Sequence, residues 1–204
     1  MAKEKKYSIK TDFSMMALLI IPIAVAVNFV GGQLASLLKL PMYLDTIGTI
    51  FAAMLCGPWV GAATGLLTNV LTGIANPVNF AFIPVSVVLG LVTGYLSRKN
   101  MFNVWWKWLI SMIIMGLVSI IVAAPIVVYV FGGITGGGTS IITATAMAAG
   151  ANIWAAVFGT EGIFTVLDRI ISYFISYAVM KVIPERILVK LSCGENFINK
   201  NISK

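Results

Sequence analysis

The chain has 204 residues, 59% of them hydrophobic and only 10% charged, and its 14 Lys and Arg outnumber its 7 Asp and Glu for a net charge of +7. Soluble domains carry about 25% charged residues, so a soluble globular protein is excluded. The uncharged stretches 46–97 and 108–160, each long enough for two crossings at ~20 residues apiece, place the chain in a lipid bilayer.

The first predicted helix, Phe13 to Val30, follows a lysine-rich start and is apolar on every face. That rules out the alternating pattern of a membrane β-barrel. Ala24-Val25-Ala26 resembles a signal-peptide cleavage site, but the apolar run continues to Leu38, and an uncleaved first helix is expected. A second helix, Asp45 to Cys56, is separated from a third, Trp59 to Ile74, by Gly57-Pro58, a turn signal that also suits a helix start. The second is short, rising only ~18 Å against a ~30 Å hydrocarbon core, so the Leu40 to Leu44 approach is expected to enter the outer membrane region in irregular form, shielded by protein. A fourth helix is predicted from Phe82 to Ser97, a fifth from Trp105 to Phe131 and a sixth from Gly162 to Ile183. The segment 134–160 begins in the glycine-rich run Gly132 to Gly138 and is expected to be an outer loop with a helical portion folded onto the bundle.

Charge fixes the expected orientation. With six crossings and a cytoplasmic start, Lys3, Lys5, Lys6, Lys10, Arg98, Lys99, Lys107, Lys181, Arg186, Lys190, Lys200 and Lys204 lie inside, with Lys39 outside and Arg169 within the membrane. This strong positive-inside bias explains the basic balance and leaves no reason to invoke nucleic acid. The expected fold is an all-α integral membrane protein, with residues 1–12 a cytoplasmic N-terminal segment, 13–183 the six-helix membrane domain and 184–204 a basic cytoplasmic tail.

Catalysis and cofactors find little support. There is no histidine, and Cys56 and Cys193 are far apart in the chain, so the usual zinc and haem ligand sets and His-based catalysis are missing. No phosphate-cradling G-x-x-x-x-G-K loop occurs either. No cofactor is expected, and energised work would draw on another protein.

The polar residues instead gather toward the outer half. Asp45, Glu161, Asp168 and Arg169 are charges in or beside the membrane, where an ionised group costs at least ~2.5 kcal/mol and faces a partner or a wet cavity. Thr49, Asn69, Asn76, Asn79 and Asn152 add hydroxyl and amide groups, and Tyr43 and Trp154 add aromatic faces. A mostly apolar pocket with a few aimed polar groups suits a flat, polar heterocycle. Each residue also has a plain structural role open to it: interhelical hydrogen bonds for the asparagines, an ion pair locking helices for Asp168 and Arg169. With Asp168 expected ~9 Å below the start of its helix and Arg169 pointing about 100° away from it, Arg169 is free to meet Asp45, Glu161 or a ligand anion. Gly57, Gly61 and Gly65, with Gly90 and Gly94, repeat at four-residue spacing, which reads as close helix packing or as a docking face. From the residues alone, a membrane protein that binds a small polar solute and a self-contained, homo-oligomeric channel or secondary carrier for one both remain open.

Leu40-Pro41-Met42-Tyr43-Leu44-Asp45-Thr46-Ile47-Gly48-Thr49-Ile50, followed by Gly57-Pro58-Trp59-Val60-Gly61 and Leu67-Thr68-Asn69, resembles the S component of an energy-coupling-factor (ECF) transporter, from Phe13 to about Ile183. The resemblance implies a non-enzymatic subunit in a prokaryotic plasma membrane that captures a vitamin-like or nucleoside-like small molecule in its outer half. It also implies partners, a membrane coupling subunit and two cytoplasmic ATPase subunits.

Overall fold

A computed structural model describes residues 8–198. The lysines at 3, 5, 6, 200 and 204, which contribute to the expected orientation, lie outside the described residues. All regular structure among those residues is helical: α1 (Ile9–Asp12), α2 (Met15–Leu37), α3 (Ile47–Cys56), α4 (Pro58–Ala75), α5 (Val78–Ala81), α6 (Ile83–Arg98), α7 (Trp105–Phe131), α8 (Gly138–Ala148), α9 (Ile153–Val182), α10 (Glu185–Leu188) and a 3-10 turn, Gly194–Phe197. Three helices, α2, α7 and α9, are long and apolar enough to cross a membrane, with mean hydropathies of 2.2, 2.7 and 1.5 over their most apolar windows. The helix α3 and the helix α6 are shorter apolar helices.

Local chemistry sets the boundaries. The Ser14 hydroxyl caps α2 by accepting from the Ala17 amide, as an N-cap serine should. Sequence reading ended this helix at Val30, before Gly31-Gly32, but it continues to Leu37. The glycines serve proximity instead: a Cβ at Gly31 would collide with the Leu44 carbonyl, and one at Gly32 would meet the Asp45 Cβ at 3.3 Å. The helix stops where Lys39 adopts a left-handed φ of 51° and the Leu40 amide donates back to the Ala35 carbonyl (2.9 Å). Residues 40–46 then run without helix to α3.

The larger correction concerns α9. It begins at Ile153, not near Gly162, with Asn152 as its N-cap accepting from the Trp154 amide. At 30 residues it rises ~45 Å, which puts Asp168 ~22 Å from its start and near its middle, not ~9 Å down. Within the expected outer loop, only α8 is an independent helix, because Gly150 turns with a φ of 92° before Asn152.

Packing is closest between α4 and α6. A Cβ at Gly61 would strike Ala53 and Gly90, one at Gly65 would strike Ser86, and one at Gly94 would strike Pro58. The glycine rows are thus spent on internal contact, the close approach that small residues permit between membrane helices. The main core joins α2, α3, α4, α6, α7 and α9 through residues such as Ile50, Met54, Leu89, Met115 and Tyr173.

Leu188 and Leu191 enter the same core and Cys193 is buried, so the described part of the segment after α9 packs on the bundle. Asp12, only 1% exposed, accepts from both sides of this end. Arg98 Nη2 donates to both its oxygens at 2.7 Å, and the Ser192 hydroxyl to Oδ1 at 3.3 Å. The first and last described segments therefore meet at one end of the bundle, beside the end of α3, where the Cys193 amide donates to Leu55 O (2.9 Å).

Candidate functional site

The opposite half of the bundle holds a cavity of about 810 Å³, within the range of small-molecule sites. It is walled by the end of α2, the 39–46 segment, the last turn of α4 with α5, the start of α6, the middle of α7, the 134–141 stretch and one face of α9. The helix α9 presents Glu161, Thr165 and Arg169 to it, residues four apart that share a helical face. Thr72 and Asn76 stand in the same relation at the end of α4.

Glu161 is 4% exposed and held by neutral donors: Tyr43 Oη donates to Oε2 at 2.5 Å and Thr139 Oγ1 to Oε1 at 2.7 Å. Asp168 is fully buried and works differently. Its Oδ1 accepts from the amides of Tyr43 (3.1 Å) and Leu44 (2.8 Å), and its Oδ2 from Arg169 Nη1 (2.9 Å). Leu44 has a φ of 51°, a region costly for a residue with a Cβ, and these bonds hold it there. Two carboxylates seven residues apart on α9 thus tie down the 43–44 stretch, one by its side chain and one by its backbone.

Arg169 completes the arrangement, donating through Nη1 to Thr46 Oγ1 as well as to Asp168, and through Nε to Ser119 Oγ at 3.3 Å. Of the two roles the sequence left open for Asp168 and Arg169, the structure shows the ion pair. Side-chain reach across one residue closes an ion pair that the Cβ directions alone do not suggest.

Of the residues singled out from sequence, Tyr43, Asp45, Asn76, Asn79, Glu161 and Arg169 line the cavity, whereas Thr49, Asn69, Asn152, Trp154 and Asp168 lie outside its lining. Asn69 Nδ2 donates to Phe82 O (3.0 Å) and Ser86 Oγ (2.6 Å), tying α4 to α6. Thr49 accepts from Asn28 Nδ2 at 2.9 Å. Asn152 is an exposed helix cap. Trp154 packs edge-on to Tyr129, with ring centroids 5.5 Å apart, and next to Phe158.

Sequence reading passed over the hydroxyls of Thr72, Ser86, Ser119 and Thr165, which also line the cavity. The signal was present for Thr165, in the buried polar stripe Glu161, Thr165, Asp168, Ser172 and Ser176, spaced three or four apart along an otherwise apolar helix. Among the described residues no three His, Cys, Asp or Glu side chains converge to hold a metal. The cavity offers hydrogen bonds and charge to a small molecule, with Tyr43 and Phe82 as aromatic surfaces.

No curated protein and no solved structure matches the chain. The family of ECF transporter substrate-specific components matches it over residues 16–180. That span covers most of the 204 residues and contains α2 to α8 almost entire and all but the last two residues of α9. The chain therefore belongs to the ECF transporter substrate-specific components, and is a multi-pass, substrate-binding membrane subunit.

Proposed function

We propose that the cavity captures a vitamin-like or nucleoside-like heterocycle for an ATP-driven importer, in which this chain works with a membrane coupling subunit and two cytoplasmic ATPase subunits and has no catalysis of its own. The observation that carries the reading is the roughly 810 Å³ cavity lined by Tyr43, Asp45, Asn76, Asn79, Glu161 and Arg169. Polar groups of both charges and amides, set among apolar and aromatic walls, are what orient a flat polar molecule.

The proposed orientation has six crossings in a prokaryotic plasma membrane, both termini cytoplasmic and the cavity facing out. The basic residues Lys10, Arg98, Lys99, Lys107 and Lys181 support it, since all fall toward the end of the bundle where Asp12 and Arg98 pair, as the positive-inside bias requires. Residues 13–183 then form the membrane domain, and the segment from 184 lies on its cytoplasmic end.

Mild-detergent purification of the full chain followed by mass spectrometry of co-eluting small molecules tests the reading. A heterocycle at near-stoichiometric yield is expected, with Asp45→Ala losing it and Asn69→Ala, outside the cavity, retaining it. Solute uptake by the chain alone in liposomes, with no ATPase present, would overturn it in favour of a self-contained carrier.

A further inference from the structure

The charges around the cavity do not cancel. Asp168 and Arg169 neutralise each other across 2.9 Å. Glu161 is held by two hydroxyls and no cation. Asp45 lines the cavity, and among the described residues its carboxylate has no ion pair and accepts no hydrogen bond from another residue. The basic residues lining the cavity are Arg169, already paired, and Lys39, exposed at the end of α2. Two carboxylates therefore line the cavity without a direct ion pair among the described residues, the charges nearest Asp45 being Asp168 and Arg169, which already pair with each other.

Both line the same cavity: Glu161 holds the Tyr43 hydroxyl, and Asp45 stands two residues after Tyr43 on the same non-helical stretch. A carboxylate in a low-dielectric setting is expensive unless a positive charge approaches it. The size of the cavity and the aromatic surfaces of Tyr43 and Phe82 suit an organic cation better than a bare ion, since aromatic faces attract cations directly.

We infer that the cavity selects a heterocycle carrying a net positive charge, its cationic centre drawn to the carboxylates of Asp45 and Glu161, and rejects ligands whose polar end is a carboxylate. This inference rests on the capture role proposed above and narrows it to a charge class.

The test reads the charge at pH 7 of the molecule that co-purifies with the full chain. It adds calorimetric titration of ligand-free protein with thiamine as a permanent cation, riboflavin and pyridoxine as neutral probes, and biotin and nicotinate as anions. A cationic co-purified molecule, or binding of thiamine in preference to the others, is expected. Asp45→Asn should weaken the cation's binding about 10- to 100-fold, the loss of one charge contact at intermediate dielectric, with the unliganded melting temperature undiminished. A neutral or anionic occupant whose affinity is indifferent to Asp45→Asn overturns the charge selection and leaves the capture role standing. No co-purified heterocycle and no binding across the panel overturn the capture role itself.

Discussion

Asp168 performs two separable jobs, and substitution can divide them. One oxygen accepts from the Tyr43 and Leu44 amides and the other from Arg169, in a site with no solvent exposure at Asp168 and 4% at Arg169. Asp168→Asn keeps an acceptor for the amides but strands the guanidinium, and breaking a buried pair from one side costs about 3–5 kcal/mol. Asp168→Ala also strands two amides at about 1–3 kcal/mol each, a loss comparable with the whole stability of a domain. The double change Asp168→Asn with Arg169→Gln removes both charges and keeps the amide acceptor, so it should recover most of what Asp168→Asn loses. Reversible unfolding in mixed micelles, followed by tryptophan fluorescence, should rank the variants wild type, double, Asp168→Asn, Asp168→Ala in falling order. A double variant no more stable than Asp168→Asn would refute the charge-pairing argument. Equal stability of Asp168→Asn and Asp168→Ala would refute the claim that the carboxylate holds the 43–44 backbone.

Asn28 links three elements, donating to Thr49 and Thr68 at 2.9 Å and accepting from the Gly48 amide at 2.6 Å. At an average of about 0.6 kcal/mol for an interhelical hydrogen bond in a membrane, Asn28→Val should cost ~2 kcal/mol in the same unfolding assay, and a wild-type midpoint would show the bonds to be idle. Gly90→Ala places a methyl against the backbone of Gly61 and Ala62, which cannot yield as a side chain can. About 1–3 kcal/mol should be lost, and an unchanged midpoint would mean that α4 and α6 separate freely. Burial pushes the Cys193 thiol up, so its thiolate, the reactive form, is scarcer at pH 7 to 8 than that of an ordinary cysteine. Iodoacetamide should label Cys193 only after unfolding in SDS, and rapid labelling of the native protein would contradict the packed position of the C-terminal segment.

The sequence announces the helices through long apolar runs, and α7 begins and ends where its residues predict, at Trp105 and Phe131. It misleads where one signal serves two purposes. Gly31-Gly32 reads as a helix end, yet the glycines make room for a segment that arrives later in the chain and approaches from the side. The stretch before Glu161 reads as outer loop because a seventh crossing would put the basic residues that follow it outside, although Asn152 is a good helix cap. Within the cavity, the charged residues stand out because charge is rare in lipid. The asparagines do not sort themselves: Asn76 and Asn79 line the space while Asn69 binds α6, and their difference is a matter of helical phase and of which neighbour arrives at the same level. Hydroxyls such as Ser119 and Thr165 are harder still, since serine and threonine pass unremarked in membrane helices until a stripe of them is recognised.

The tether between Tyr43, Leu44 and Asp168 has a consequence in time. Its partners are separated by 125 and 124 residues, and at the usual pace of ~5–20 residues per second the ribosome needs roughly 6–25 s to make the second after the first. Throughout that interval α2 and α3 exist while the amides between them have no acceptor from α9, and Leu44 has nothing to hold its left-handed turn. The cavity is therefore closed only by the final long helix, and a chain truncated before α9 should insert helices into the bilayer without ever completing it.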